Sequence, residues 1–149
     1  MTQPEKITVY KKVMVIDDNA IDRYVAEHVI KSQCFAEEVI TKESARAGLE
    51  YLEALSGTAE ELPQLIFLDI RMPEVDGFGF LELYDKLPEV VKKNCIIMML
   101  STSLNPEDHE RAAENPFVNR FLNKPLNKEK LTMLAGTRPG TEVSEQKVA

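Results

Sequence analysis

Leu65-Ile66-Phe67-Leu68-Asp69-Ile70-Arg71-Met72-Pro73-Glu74-Val75-Asp76-Gly77 runs from four bulky apolar residues into a carboxylate, then into a turn rich in Pro, Asp and Gly. Four apolar residues without polar alternation read as a strand covered on both faces, as in a parallel sheet. Such a strand delivers Asp69 to the rim of the core, where an unpaired charge costs several kcal/mol. The compensating groups must come from elsewhere in the chain, and their positions decide the fold.

Four further runs resemble the first. Val13-Met14-Val15-Ile16 ends at Asp17-Asp18, and Glu38-Val39-Ile40-Thr41 is a weaker version. Ile96-Ile97-Met98-Met99-Leu100 ends at Ser101-Thr102-Ser103, and Val118-Asn119-Arg120-Phe121-Leu122 ends at Asn123-Lys124-Pro125. The intervening segments carry helical spacing. Ile21, Tyr24, Val25, His28, Val29 and Ile30 fall along one face, with N-cap candidates in Asp17-Asp18-Asn19. Ala45, Leu49, Leu52 and Leu55 repeat the pattern before a stop at Ser56-Gly57, and Phe80, Leu81, Tyr84 and Leu87 do so before Pro88. Asn105-Pro106-Glu107-Asp108 is a helix start, with acids near the positive end of the dipole, and 126–134 is a short last helix. Five strands alternating with five helices predict right-handed crossovers and a three-layer α/β/α sandwich. Ligands of such folds lie outside the carboxyl ends of the strands, near the point where strand order reverses. The polar clusters above fall there.

The 149 residues suit one domain with a real core. It is expected over 11–135, with an N-terminal extension over 1–10 and a flexible tail over 136–149, where no apolar period continues. A net charge of -7 argues against a general nucleic-acid binder. Cys34 and Cys95 lack CxxC spacing, and Cys95 opens an apolar run, so a reduced, buried thiol is expected. No stretch reaches the roughly 18 apolar residues of a membrane span, which makes the cytoplasm the expected compartment.

One parallel sheet would bring Asp17, Asp18 and Asp69 to the same edge. Three bare carboxylates in one small space repel until one protonates, and a hard divalent cation resolves the conflict. Mg²⁺ takes oxygen ligands and keeps water, which leaves room for a phosphate oxygen. Lys124 supplies positive charge from the fifth strand and Ser101 a hydroxyl from the fourth. Acids, metal, lysine and hydroxyl together describe phosphoryl transfer, in which a carboxylate nucleophile gives an aspartyl phosphate.

Val-Met-Val-Ile-Asp17-Asp18-Asn19, Leu-Ile-Phe-Leu-Asp69-Ile-Arg-Met-Pro73-Glu-Val-Asp76-Gly77, Met-Met-Leu-Ser101 and Phe121-Leu-Asn-Lys124-Pro125 resemble, in order and spacing, the CheY-like receiver domain of response regulators. The resemblance covers about residues 11–135. It implies a flavodoxin-like (βα)5 fold with strand order 2-1-3-4-5. It implies a stand-alone response regulator, not an enzyme, acting in a two-component system or phosphorelay. Asp69 would be the phosphoacceptor for the phosphohistidine of a sensor histidine kinase or histidine phosphotransfer protein. Asp18 would bind Mg²⁺ directly and Asp17 mainly through water, with Asp69 and the Arg71 backbone carbonyl as further ligands. Lys124 would pair with the phosphate, aimed by a cis peptide to Pro125. Ser101 would hydrogen-bond the phosphate once its loop closes, and Phe121 occupies the aromatic switch position. Phe121 lacks the hydroxyl of the commoner Tyr, so switching would depend on burial alone. Thr102 stands where many receivers carry Ala, and its bulk would restrict access to the phosphate. Leu-Ser-Thr-Ser looks more like the stand-alone receivers paired with phytochrome-type or hybrid kinases than like the chemotaxis type. With no room for an output domain after Leu134, output would pass through a surface over Asn105–Leu134, by protein contact or onward phosphotransfer. Oligomeric state is open, a dimer included.

Each residue also has a plainer reading. Asp69 is a turn residue, Asp17-Asp18 an N-cap, Lys124 a solvated lysine, Ser101 a loop hydroxyl and Phe121 ordinary core. His28 and His109 read as structural or surface residues, not phosphohistidines. Two other functions stay in view. A receiver-like interaction module would never be phosphorylated. An aspartate-nucleophile phosphatase needs a second acid two residues after the nucleophile, where Arg71 follows Asp69 and Asn19 follows Asp17.

Overall fold

The continuous apolar runs become the strands of one parallel sheet in the computed structural model, which describes residues 9–137. The strands are β1 (Tyr10–Ile16), β2 (Ala36–Lys42), β3 (Leu65–Leu68), β4 (Ile96–Ser101) and β5 (Val118–Asn123). Their order is β2-β1-β3-β4-β5, the flavodoxin-like arrangement the resemblance implies. All four residues of central β3 are buried, and each such Leu, Ile or Phe contributes about 1.5–3 kcal/mol relative to exposure. Residues 1–8 and 138–149, on which most of the expected N-terminal extension and tail fall, lie outside the described residues.

Successive side chains point to opposite faces of a strand, so the sheet feeds two cores. Met14, Ile16, Ile66, Leu68, Ile97, Met99 and Phe121 form one. Against them pack α2 (Ala45–Ala54), α3 (Gly77–Tyr84), α4 (Glu89–Asn94) and α5 (Pro106–Glu114), through residues such as Leu52, Phe80, Val91 and Ala112. Val13, Val15, Leu65, Phe67, Met98 and Leu122 form the other, covered by α1 (Ala20–Ser32) through Ala26 and Ile30 and by α6 (Lys128–Leu134) through Leu131 and Leu134. Five helices start on a side-chain cap: Asn19, Ser44, Asp76, Asn105 and Asn127 each accept a backbone N–H of the first turn. Loss of one such cap costs about 1 kcal/mol.

Two expectations change. The connection between β3 and β4 holds two helices, so the described residues contain six α-helices rather than five, besides a single 3-10 turn at Ala59–Glu61. The extra one, α4, is six residues long and buries only Val91, too little for a periodicity to register. The apolar face expected on α1 is the second. Its inward row is Ala26 and Ile30, with Val29 partly buried, whereas Ile21, Tyr24 and Val25 are 73%, 67% and 38% exposed. Periodicity finds an apolar row but not what covers it. His28 is exposed beside that row, its ring stacked on Tyr24.

Cys95 is buried and, like Cys34, free. Burial pushes its thiol up to about 12 against an opposing hydrogen bond with Tyr84, which keeps it protonated.

Candidate functional site

Sheet register sets the site. Ile16 and Leu68 are opposite each other on β1 and β3, the strands flanking the reversal of strand order, so Asp17 and Asp69 leave the sheet side by side. The Asp69 N–H donates to the Ile16 carbonyl at 3.0 Å and the Asp17 N–H to the Lys42 carbonyl at 3.0 Å, which extends the sheet's hydrogen bonding to both acids. Asn19 caps α1, so neither Asp17 nor Asp18 is spent on that task. One carboxylate oxygen from each of Asp17, Asp18 and Asp69 lies within 4.8 Å of the others. Asp17 and Asp69 are buried and Asp18 is exposed.

The fifth strand brings in the counter-charge. Lys124 Nζ is 2.7 Å from Asp17 Oδ2, 2.8 Å from Asp22 Oδ2 and 3.4 Å from Asp69 Oδ1. The peptide between Lys124 and Pro125 is cis. Burial works against the ammonium, but hydrogen bonds to Asp17 and Asp22 and the charges of Asp69 and Asp17 outweigh it and raise its pKa. Asp69 is shifted the other way from an ordinary carboxyl. Burial and the neighbouring Asp17 charge raise it from 3.8 to about 6, while Lys124 and the Ile70 N–H, 2.9 Å from Oδ1, hold it back. A carboxylate kept costly to ionise, with one ammonium shared among three acids, is a site short of positive charge. Three converging oxygen donors fit a hard, oxygen-seeking cation such as Mg²⁺.

The remaining candidates sit around this centre. Ser101 ends β4 with 1% exposure, and its carbonyl accepts the Lys124 N–H at 3.0 Å. Its hydroxyl oxygen accepts the Ser103 N–H at 3.2 Å. Thr102 lines a groove of about 240 Å³ with Asp22, Val25, Lys124 and Pro125. Phe121 is core, 1% exposed, with the His109 ring centroid 4.0 Å from its own. The Arg71 side chain points away from the acids to Asp108, at 2.7 Å. Asp22 and Asp108 escape a sequence reading, being ordinary helix first-turn acids until β5 and the β3–α3 loop fold onto them.

The sequence model of the response regulator receiver domain matches residues 13–135. The chain belongs to that family. Protein PilG of Pseudomonas aeruginosa is 34% identical over 122 residues, 80% of this chain and 81% of PilG. Some curated relatives are much longer: the chain spans 14% of sensor histidine kinase CheAY of Helicobacter pylori. A two-component response regulator from Cytophaga hutchinsonii superposes with a TM-score of 0.78 at 27% identity, covering 86% of this chain and 95% of that one. The receiver domain of histidine kinase CKI1 from Arabidopsis thaliana, in complex with Mg²⁺, gives 0.69 at 26% identity, covering 83% of this receiver and 89% of that domain. Among the described residues no helix is long and apolar enough to cross a membrane.

Proposed function

We propose that this receiver is a single-domain response regulator that accepts a phosphoryl group on Asp69 from a phosphohistidine. The observation that carries the reading is the convergence of Asp17, Asp18 and Asp69 within 4.8 Å beside the Lys124 ammonium. Asp69 is anchored through Oδ1, which accepts the Ile70 N–H and lies 3.4 Å from Lys124 Nζ. An Asp69 oxygen attacks phosphorus, the phosphorus–nitrogen bond of the donor breaks, and the imidazole leaves with the electron pair and takes up a proton. Lys124 neutralises charge on the transferring group. Ser101 donates to a phosphate oxygen afterwards, and Thr102 narrows the approach.

Asp18, exposed and free of the lysine, would hold Mg²⁺ together with Asp69 and the Arg71 carbonyl. Asp17 is already engaged by Lys124 and by the Asn19 N–H at 2.9 Å, and it would support the metal mainly through water. Bound Mg²⁺ supplies the charge that lets three acids and a phosphate share the site.

The donor is a histidine kinase or histidine phosphotransfer protein. Exposed Ile21, Tyr24 and Val25, beside the groove next to Lys124, support docking of such a partner along α1. Output runs through α5, β5 and α6, with Phe121 moving on burial alone. The test is incubation with Mg²⁺ and acetyl phosphate or phosphoramidate, followed by intact mass. Wild type gains one phosphoryl group and Asp69→Asn gains none; an equal gain in both would sink the assignment of Asp69.

A further inference from the structure

Asp108 sits on the first turn of α5 and is 5% exposed, although it belongs to a strongly polar helix. Its Oδ2 accepts two hydrogen bonds from different loops, one from Arg71 Nη2 at 2.7 Å and one from the Ser103 hydroxyl at 2.6 Å. Arg71 follows Asp69 by two residues, and Ser103 follows Ser101 by two. One buried carboxylate therefore ties the loop after β3 and the loop after β4 to the same helix.

The grip on Ser103 is threefold, because its hydroxyl oxygen also accepts the N–H of Asn105, the N-cap of α5, at 3.2 Å. The Ser103 carbonyl lies 3.0 Å from Nε2 of His109, whose ring rests against Phe121. Its N–H is donated to the Ser101 hydroxyl oxygen. The hydroxyl read as the phosphate ligand is thus held inside a loop that α5 clamps at a side chain and at a carbonyl. The Arg71 end is weaker, because that side chain is 64% exposed and an ion pair open to water contributes little. The Ser103 bond to a buried carboxylate is charge-assisted and stronger.

We propose that Asp108 is a positioning residue that holds the β4–α5 loop, and with it Ser101, through the Ser103–Asp108 bond, and that a phosphoryl group on Asp69 draws Ser101 toward it at the expense of that bond. The latch rests on the reading of Asp69 as acceptor and adds its regulation. It defines a two-state element with named contacts in one of its states. Release of Ser103 frees the turn that carries His109, and with it the packing on Phe121, so an event at Asp69 is felt on α5. A ligand that mimics the phosphoryl group must work against this bond, and removing the bond raises affinity for that ligand.

Beryllofluoride with Mg²⁺, titrated calorimetrically into the full chain, is the probe. Ser103→Ala and Asp108→Ala each bind it about tenfold more tightly than wild type, the size of one net hydrogen bond. Ser103→Ala alters no charge, so its gain cannot come from a less negative surface. Ser103→Thr keeps the hydroxyl and stays within about twofold of wild type, and the double variant gains no more than either single one. In the metal-free protein, amide exchange over 101–105 speeds up about tenfold in both weakened variants, with cooperative melting retained. Unchanged or weaker binding by Ser103→Ala, with wild-type exchange, overturns the latch alone. A wild type that binds no beryllofluoride overturns the acceptor reading, and the latch falls with it.

Discussion

Gly77 leaves no room for a side chain against Asp69: a Cβ there would lie 2.5 Å from the Asp69 carbonyl oxygen and 2.9 Å from Cα of Ile70. Both neighbours are backbone and cannot swing aside. The Gly77 N–H also donates to the Ile70 carbonyl at 2.8 Å, drawing the start of α3 onto the acid's own strand end. Gly77→Ala therefore separates α3 from Asp69 or moves Asp69. The expected cost is about 1–3 kcal/mol in urea unfolding, the range for an overpacked core. Labelling by acetyl phosphate slows in the same variant. A loss below about 0.5 kcal/mol would mean the contact has slack.

Asp69 makes stability depend on pH in the metal-free protein. Its folded pKa is raised from 3.8 to about 6 by burial and by Asp17, so the folded state holds its proton more tightly than the unfolded chain. That contribution is fully present below the unfolded value and is lost as pH rises through about 6. The shift corresponds to roughly 1–3 kcal/mol. Without metal, Asp69→Asn is expected to be more stable than wild type at pH 8 by about that amount, with the gap closing toward pH 4. Urea unfolding at the two pH values checks it, and Mg²⁺ narrows the gap at pH 8 by stabilising wild type. A gap that widens on acidification would contradict the burial account.

How far this was legible in the sequence depends on the kind of signal. The strands were plain because β1, β3 and β4 are buried on both faces and their apolar runs are unbroken. The acids, Ser101 and Lys124 were legible because each ends such a run, and register alone brings strand ends together. α4 was not, because a six-residue helix with one buried side chain leaves no period to read. The face of α1 was misjudged because Ile21, Tyr24 and Val25 share helical spacing with the inward row yet lie outside it. Asp22 and Asp108 are two of 25 acidic residues, and only the folded loops select them.

Lys124 is the shared counter-ion of Asp17, Asp22 and Asp69, and its side chain is 11% exposed. Lys124→Met keeps the apolar stem and removes the charge, leaving two buried carboxylates uncompensated. Breaking a buried pair in this way costs about 3 kcal/mol. The expected result is a lower melting temperature without metal and a larger rise on adding Mg²⁺ than wild type shows, because the cation meets less neutralised acids. A smaller Mg²⁺-induced rise in the variant would show that the lysine assists metal binding instead of competing with it.

Cys34 sits just beyond α1 with φ of 55°, in the left-handed region that costs an L side chain about 1–2 kcal/mol. The surrounding bonds explain why it is held there. The Phe35 N–H reaches back to the Ile30 carbonyl and the Cys34 N–H to the Lys31 carbonyl, both at 3.0 Å, the double closure of a Schellman cap. Glycine suits that position because it lacks the Cβ that makes the conformation costly. Cys34 is half-buried and its thiol is free, so little packing is given up. Cys34→Gly is expected to raise stability by about 0.5–1 kcal/mol, read from the urea midpoint at unchanged slope, with phosphoryl acceptance unaffected. A midpoint that falls would mean the packing of the half-buried Cys34 side chain outweighs the relief of the backbone.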